Sequence, residues 1–102
     1  MQSDIRLDTK RKEISELDTM LIQILLKRLS LCQDVAYIKM DLELPILNKG
    51  REDQILTQVM RQCEQDPHLK IYVSDILKQV MNASKRLQKE ILSDQCEKFP
   101  NF

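Results

Sequence analysis

Two positively charged side chains interrupt an apolar stripe in the first half of the chain. Residues 10–42 include no Gly and no Pro, and their apolar residues recur every three or four positions, as in an amphipathic helix. Arg28 lies on this stripe, and Lys39 follows at a position only about 20° away around the helix axis. Two cations on one apolar face could bind an anion together. Alternatively, their aliphatic stems could cover the face while the charged groups reach water.

Polar side chains also occupy faces of the two later predicted helices that should be apolar. Glu52 lies one turn before an apolar position of the second helix, and Ser84 and Gln88 lie four residues apart on the apolar face of the third. Each unmatched polar group would cost about 1–3 kcal/mol on burial. A small polar anion held between the helices would satisfy these groups together with Arg28 and Lys39.

Simpler explanations exist for each of these positions taken singly. Ser84 could donate to the backbone of the preceding helical turn, and Gln88 could lie at the edge of the apolar face. Asn48 could be a helix cap rather than a ligand, and Arg51 with Glu52 could form a solvated pair in the first turn.

One long helix should carry the first set of residues. Ser3 or Asp4 could cap its start, and it should continue to about Leu42, because Pro45 disfavours helix at itself and at the preceding residue. Its apolar stripe consists of Ile14, Leu17, Leu21, Ile24, Leu31, Val35, Ile38 and Leu42.

Two shorter helices should carry the remaining residues. Asn48 is the expected N-cap of the second helix, whose apolar positions are Ile55, Leu56, Val59, Met60 and Cys63. Asp66 followed by Pro67 predicts the start of the third helix, which should fray by about Asp94. Its apolar positions are Ile71, Val73, Ile76, Leu77, Val80, Met81, Leu87, Ile91 and Leu92.

The composition predicts one all-α domain over residues 1–102, with a core at 5–94 and a tail at 95–102. The chain has a single Gly, and its 16 basic and 16 acidic residues cancel, which argues against binding nucleic acid or a membrane surface. Its three cysteines match neither a disulfide framework nor a metal site. The N-terminus has charges where a signal peptide needs an apolar run, so we expect a cytoplasmic protein.

The length of the first helix predicts a homodimer. A helix of roughly 35–40 residues extends about 50–60 Å, whereas a compact domain of this chain length is about 35 Å across. The overhanging apolar stripe needs a partner, and a second copy of the chain is the simplest one. Arg11 lies about 25 Å along the helix from Arg28, so one small ligand could contact both only if Arg11 came from the partner subunit. Taken alone, Arg11 is an ordinary surface charge.

Three segments resemble the all-helical (AroQ-type) chorismate mutases. They are RKEISELDTMLIQILLKRLSL in the first helix, LPILNKGREDQIL at the entry to the second, and SKRLQ in the third, and the resemblance covers about residues 10–92. It implies three helices intertwined with the three helices of a partner, with two equivalent sites in the dimer. It also implies the rearrangement of chorismate to prephenate, on the route to phenylalanine and tyrosine. That reaction is a concerted pericyclic step, for which we expect no metal, cofactor or nucleophile.

The resemblance assigns the carboxylate contacts to four residues. Arg28 and the partner subunit's Arg11 would clamp the two carboxylates of chorismate, and Arg51 and Ser84 would complete these contacts.

Four further residues would act on the ether oxygen and the ring hydroxyl. Lys39 and Gln88 would donate hydrogen bonds to the ether oxygen, where negative charge develops as the bond breaks. Glu52 would accept from the ring hydroxyl with help from Asn48, although close relatives often have Asp at the Asn48 position.

Three other functions compete with the mutase. An isochorismate pyruvate-lyase would share the cations and the dimer, and it would differ in how the ring hydroxyl is recognised; Glu52 and the intact second-helix entry favour the mutase. A catalytically silent dimerisation or regulatory module would be expected to lose its polar residues, whereas this chain keeps them. A plain coiled-coil scaffold does not fit the interrupted stripes.

Overall fold

Three helices make up the described part of the chain. The computed structural model describes the backbone of residues 4–98 and the side chains of residues 4–93. Within these ranges the elements are α1 (Ile5–Asp41), α2 (Lys49–Gln62) and α3 (Lys70–Lys98), and no strand is found. The all-helical prediction is therefore confirmed. No helix in the described ranges is both long and apolar enough to cross a membrane.

Asp4 caps the start of α1, as one of the two sequence-based alternatives predicted. Its Oδ1 accepts from the backbone N–H of Arg6 at 2.8 Å, and its carbonyl oxygen accepts from the N–H of Asp8 at 3.0 Å. The side chain of Arg6 also binds the Asp4 carboxylate, and these hydrogen bonds hold the pKa of Asp4 below its ordinary value. The alternative cap, Ser3, lies outside the described residues.

A Schellman motif ends α1 before Pro45. The N–H of Leu44 donates to the carbonyl of Lys39 at 2.8 Å, and the N–H of Glu43 donates to that of Met40 at 3.2 Å. Glu43 occupies the left-handed position of this motif with φ of 55°, where Gly is the usual residue. The turn therefore stops the helix close to the predicted residue, and Pro45 prevents its continuation.

The chain divides into two compact units, Met1–Leu31 and Cys32–Phe102. All eight residues of the predicted stripe, which are distributed over both units, are exposed, from 41% at Val35 to 62% at Leu42. In the second unit the buried position on α1 is instead Ala36, on a different side of the helix. The predicted stripe thus exists, but it is not packed within a single chain.

In the second unit, α2 packs against α3. Among the described residues, the buried apolar side chains here are Val59 of α2, Cys63 at the C-cap of α2, and Met81 and Ile91 of α3. Met60, which the periodicity assigned to the apolar face of α2, is exposed. It lies one position past buried Val59 and therefore about 100° around the helix axis from it.

The start and end of α3 differ from their predicted positions. Asp66 and Pro67 begin a turn rather than the helix itself, because the carbonyl of Asp66 accepts from the N–H of Leu69 at 3.0 Å, and α3 begins only at Lys70. The helix also continues past Asp94 to Lys98, with no Gly or Pro between these residues to stop it. The predicted single domain and its tail stay predictions.

Candidate active site

Lys39 is fixed at the last turn of α1. Its carbonyl oxygen takes part in the Schellman motif, and its ammonium donates a 2.7 Å hydrogen bond to the carbonyl oxygen of Ile46 in the α1–α2 loop. An ammonium group has three N–H donors, so this contact leaves two for another acceptor. The loop therefore orients a half-buried cation without using all of its hydrogen-bonding capacity.

Asn48 is the N-cap of α2, as its simpler explanation predicted. It has an extended backbone, and its Oδ1 accepts from the N–H of Arg51 at 3.0 Å. The Arg51 side chain is exposed and reaches Gln54, with Nη1 3.5 Å from Oε1. The two residues therefore form and extend the first turn of α2, and no ligand is needed to explain their positions.

Glu52 pairs with a residue of α3 rather than with Arg51. Its Oε1 lies 3.0 Å from Nζ of Lys85. Both side chains line a cleft of about 270 Å³ between α2 and α3, whose charged lining consists of Lys49, Lys78, Lys85, Glu52 and Asp53. Its apolar lining consists of Leu47, Leu56 and Met81. The cleft is thus a partly apolar concavity that contains three cations and two carboxylates.

Ser84 and Gln88 are the two buried polar side chains identified in the described part of the chain. The hydroxyl of Ser84 donates to the carbonyl of Val80 at 2.9 Å, as its simpler explanation predicted. Gln88 is only 6% exposed, and its Oε1 has no hydrogen-bond partner among the described residues. The buried face of α3 therefore does contain polar side chains. The amide oxygen of Gln88 lacks a hydrogen-bond partner among the described residues.

Arg11 and Arg28 both belong to the first unit. Arg11 is exposed and Arg28 is half-buried. Arg28 lies seventeen positions after Arg11 on α1, which corresponds to about 25 Å along the helix axis. Within one chain these two guanidinium groups are therefore too far apart for one small ligand.

Sequence reasoning missed Lys85. The segment SKRLQ drew attention through Ser84 and Gln88, but Lys85 lies between them, four residues after Met81 and three before Gln88. That spacing places it beside the buried face of α3 and was the available signal. Its partner Glu52 is on another helix, so no local pattern could have shown the pair.

Comparison with known proteins identifies the family. The profile described as chorismate mutase type II matches residues 10–89, which is most of the chain. The chain belongs to this family. Chorismate mutase activity, an isomerase reaction, is therefore the function that the family supports.

One curated relative supports this assignment, and one solved structure supports the fold. The chain is 33% identical over 87 residues to the chorismate mutase of Methanocaldococcus jannaschii, an alignment that covers 82% of this chain and 85% of the relative. It also resembles the solved structure of a conserved hypothetical protein from Pyrococcus furiosus, with a TM-score of 0.69 and 30% identity. That match covers 84% of this chain and 99% of the other. The all-helical fold of this chorismate mutase family member is thus seen in a solved structure.

Proposed function

We propose that this chorismate mutase family member binds chorismate through Arg28, Lys39, Glu52, Ser84 and Gln88, and that a second copy of the chain completes the site with Arg11. The reaction is the rearrangement of chorismate to prephenate. It needs a dianion held in a compact conformation and stabilisation of the charge that develops on the breaking ether oxygen.

The observation that carries the proposal is the buried amide of Gln88. A buried polar atom without a partner costs about 1–3 kcal/mol, and such atoms are rare in folded proteins. Rotation of the amide by 180° exchanges its oxygen and nitrogen, so the same buried position can present an N–H donor. A ligand with an acceptor oxygen would satisfy that donor, and in chorismate we assign the ether oxygen to it.

Lys39 supports the same assignment. Its hydrogen bond to Ile46 fixes the ammonium before any ligand binds and leaves two N–H donors available. A donor that is already oriented stabilises developing charge without reorganisation during the reaction. We therefore assign to Lys39 a second hydrogen bond to the ether oxygen, in addition to the one from Gln88.

The other roles are those that the family resemblance implies, and the chemistry of each group fits them. Arg28 and the partner subunit's Arg11 present planar guanidinium groups, which match carboxylates in a bidentate geometry. Arg51 and Ser84 complete the carboxylate contacts in this proposal, and the Ser84 hydroxyl would have to rotate away from Val80 to donate to substrate.

Glu52 is the proposed acceptor for the ring hydroxyl. Its Oε1 binds Lys85, which leaves Oε2 as the oxygen for the hydroxyl. Asn48 would assist, although its Oδ1 is engaged as the α2 cap.

The homodimer is supported by the exposed stripe of α1. Eight apolar side chains expose 41–62% of their surface, and burying one such side chain contributes about 1.5–3 kcal/mol. A second copy offers the same stripe, so pairing buries both. We propose that the two chains intertwine along α1, which would also bring Arg11 of one subunit to the Arg28 site of the other.

Light scattering of paired variants tests the dimer. Leu21→Asp puts a charge into the stripe and is expected to yield monomers without mutase activity. Ser30→Asp adds the same charge at an exposed polar position of α1 and is expected to remain dimeric and active. A dimeric, active Leu21→Asp protein would contradict the proposed interface.

The purified protein should be supplied separately with chorismate and with isochorismate, and the products identified. If the protein is a mutase, it should convert chorismate to prephenate. Pyruvate released from isochorismate, with no prephenate from chorismate, would instead indicate the lyase. No reaction with either substrate from a folded dimer would indicate a catalytically silent module.

Action in the cytoplasm is part of the same proposal. Cys63 is a buried free thiol, which fits a reducing compartment.

A further inference from the structure

Lys85 contacts the one predicted site residue that lines the α2–α3 cleft. Its Nζ lies 3.0 Å from Oε1 of Glu52, with 30% of the Lys85 side chain and 27% of the Glu52 side chain exposed. The two residues are on different helices that pack against each other, so the pair is a tertiary contact. We propose that Lys85 is a positioning residue of the mutase, which acts on substrate through Glu52. This inference rests on the proposed function.

The first consequence of the pair is geometric. Glu has three rotatable side-chain bonds, and an ammonium bound to Oε1 restricts them, leaving Oε2 as the oxygen able to accept from a hydroxyl. A carboxylate already held in one orientation loses less conformational entropy when substrate binds. Lys85 thus orients Glu52 for the ring hydroxyl.

The second consequence is electrostatic. The substrate carries two negative charges, and an unpaired carboxylate beside its binding site would repel it. Lys85 cancels the charge of Glu52, and Lys49 and Lys78 on the same cleft outnumber the remaining carboxylate of Asp53. With the pair intact, Glu52 can accept a hydrogen bond from the substrate hydroxyl without a net charge penalty against the dianion.

Both effects act on substrate binding more than on the chemical step, because the ring hydroxyl is present in the ground state and in the transition state alike. Loss of Lys85 should therefore raise KM more than it lowers kcat. A partly buried ion pair of this kind should change kcat/KM about three- to fivefold.

The experiment compares Lys85→Met with Lys89→Met in steady-state assays of the full-length protein. Met keeps the length of the side chain without its charge, and Lys89 is an exposed lysine one turn further along α3. We expect a rise in KM of about three- to fivefold for Lys85→Met, nearly unchanged kcat, and parent values for Lys89→Met. Lys85→Arg restores the charge and should recover most of the loss.

A double-variant cycle distinguishes positioning from general destabilisation. In a Glu52→Gln background, Lys85→Met should cost little further activity, since the carboxylate on which it acts is gone. Melting temperatures of all variants, measured alongside, should be similar. If the parent converts chorismate while Lys85→Met retains its KM, or if the two losses simply multiply, the role of Lys85 is overturned. A parent that does not convert chorismate would overturn the proposed function and this inference with it.

Discussion

The ammonium of Lys39 lies 2.7 Å from the carbonyl oxygen of Ile46, seven residues along the chain. This bond links the last turn of α1 to the loop that leads into α2, and the carbonyl of Lys39 closes the Schellman motif at the same turn. The backbone that ends the helix and the side chain that we assign to catalysis are therefore fixed together.

Replacement of Lys39 by Ala should lower kcat/KM by about 10²–10³, because one preorganised donor at a site of developing charge contributes that much. Lys27→Ala, at an exposed position of the same helix, provides the control and should retain parent activity. A loss of less than tenfold for Lys39→Ala would remove Lys39 from its assigned role.

Replacement of Gln88 by Met should separate stability from activity. Met has a similar volume and no polar atoms, so it removes the buried Oε1 that has no partner among the described residues. Denaturant unfolding should show an unchanged free energy of unfolding or a gain of up to about 1 kcal/mol, while mutase activity falls at least about 10²-fold. A variant that loses stability and keeps its activity would mean that the Gln88 amide is structural.

Replacement of Gln88 by Glu should make kcat/KM depend on pH, with higher values at low pH. A carboxylic acid can donate to the ether oxygen, whereas a carboxylate cannot, and burial raises the pKa of a carboxyl above its ordinary value of about 4.3. The variant should therefore gain kcat/KM as the pH falls from 8 to 5. The parent, with a non-ionising amide at this position, should lack that rise, and an equally flat profile for both proteins would contradict the donor role.

Replacement of Glu43 by Gly should stabilise the fold without changing turnover. A non-Gly residue in the left-handed region costs about 1–2 kcal/mol, and the extra freedom of Gly in the unfolded chain offsets about 0.5–1 kcal/mol of that. We expect a net gain of about 0.5–1 kcal/mol in the free energy of unfolding. Asp41→Gly, in the last helical turn before the motif, should bring no such gain, because Gly is about 0.3 kcal/mol less favourable than Asp in a helix.

Replacement of Asn48 by Ala should cost about 1 kcal/mol of stability, because the first turn of α2 loses its side-chain cap. Asn48→Asp keeps the acceptor and should match or exceed the parent in thermal unfolding. If Asn48 also assists hydroxyl recognition, then Asn48→Ala will raise KM as well. Equal melting temperatures for the parent and Asn48→Ala would contradict a stabilising role for the Asn48 cap.

Local patterns predicted the three helices, both ends of α1 and the start of α2. The Asn48 cap and the Asp4 cap were visible because a single side chain and its adjacent turn determine each one. Asp66 and Pro67 misled the prediction at α3, since the same pair that starts a helix also suits a turn, and neighbouring residues decide between them.

Sequence periodicity found the polar interruptions of the helices but not their partners. It marked Gln88 as a polar residue on an apolar face, and the structure shows that face to be buried. It could not pair Glu52 with Lys85, which are 33 residues apart, and it did not mark Ala36 as buried. The exposure of the α1 stripe in a single chain followed instead from the predicted length of the helix. Contacts between elements distant in sequence depend on the fold as a whole.

The most direct test of the shared active site is conversion of chorismate to prephenate by a mixture of Arg11→Ala and Arg28→Ala. Each variant alone should be nearly inactive. When equal amounts are refolded together, half of the dimers are mixed, and one site in each has both arginines, so about a quarter of the parent activity should return. No recovery on mixing, with the parent active, would contradict a site completed by the second chain.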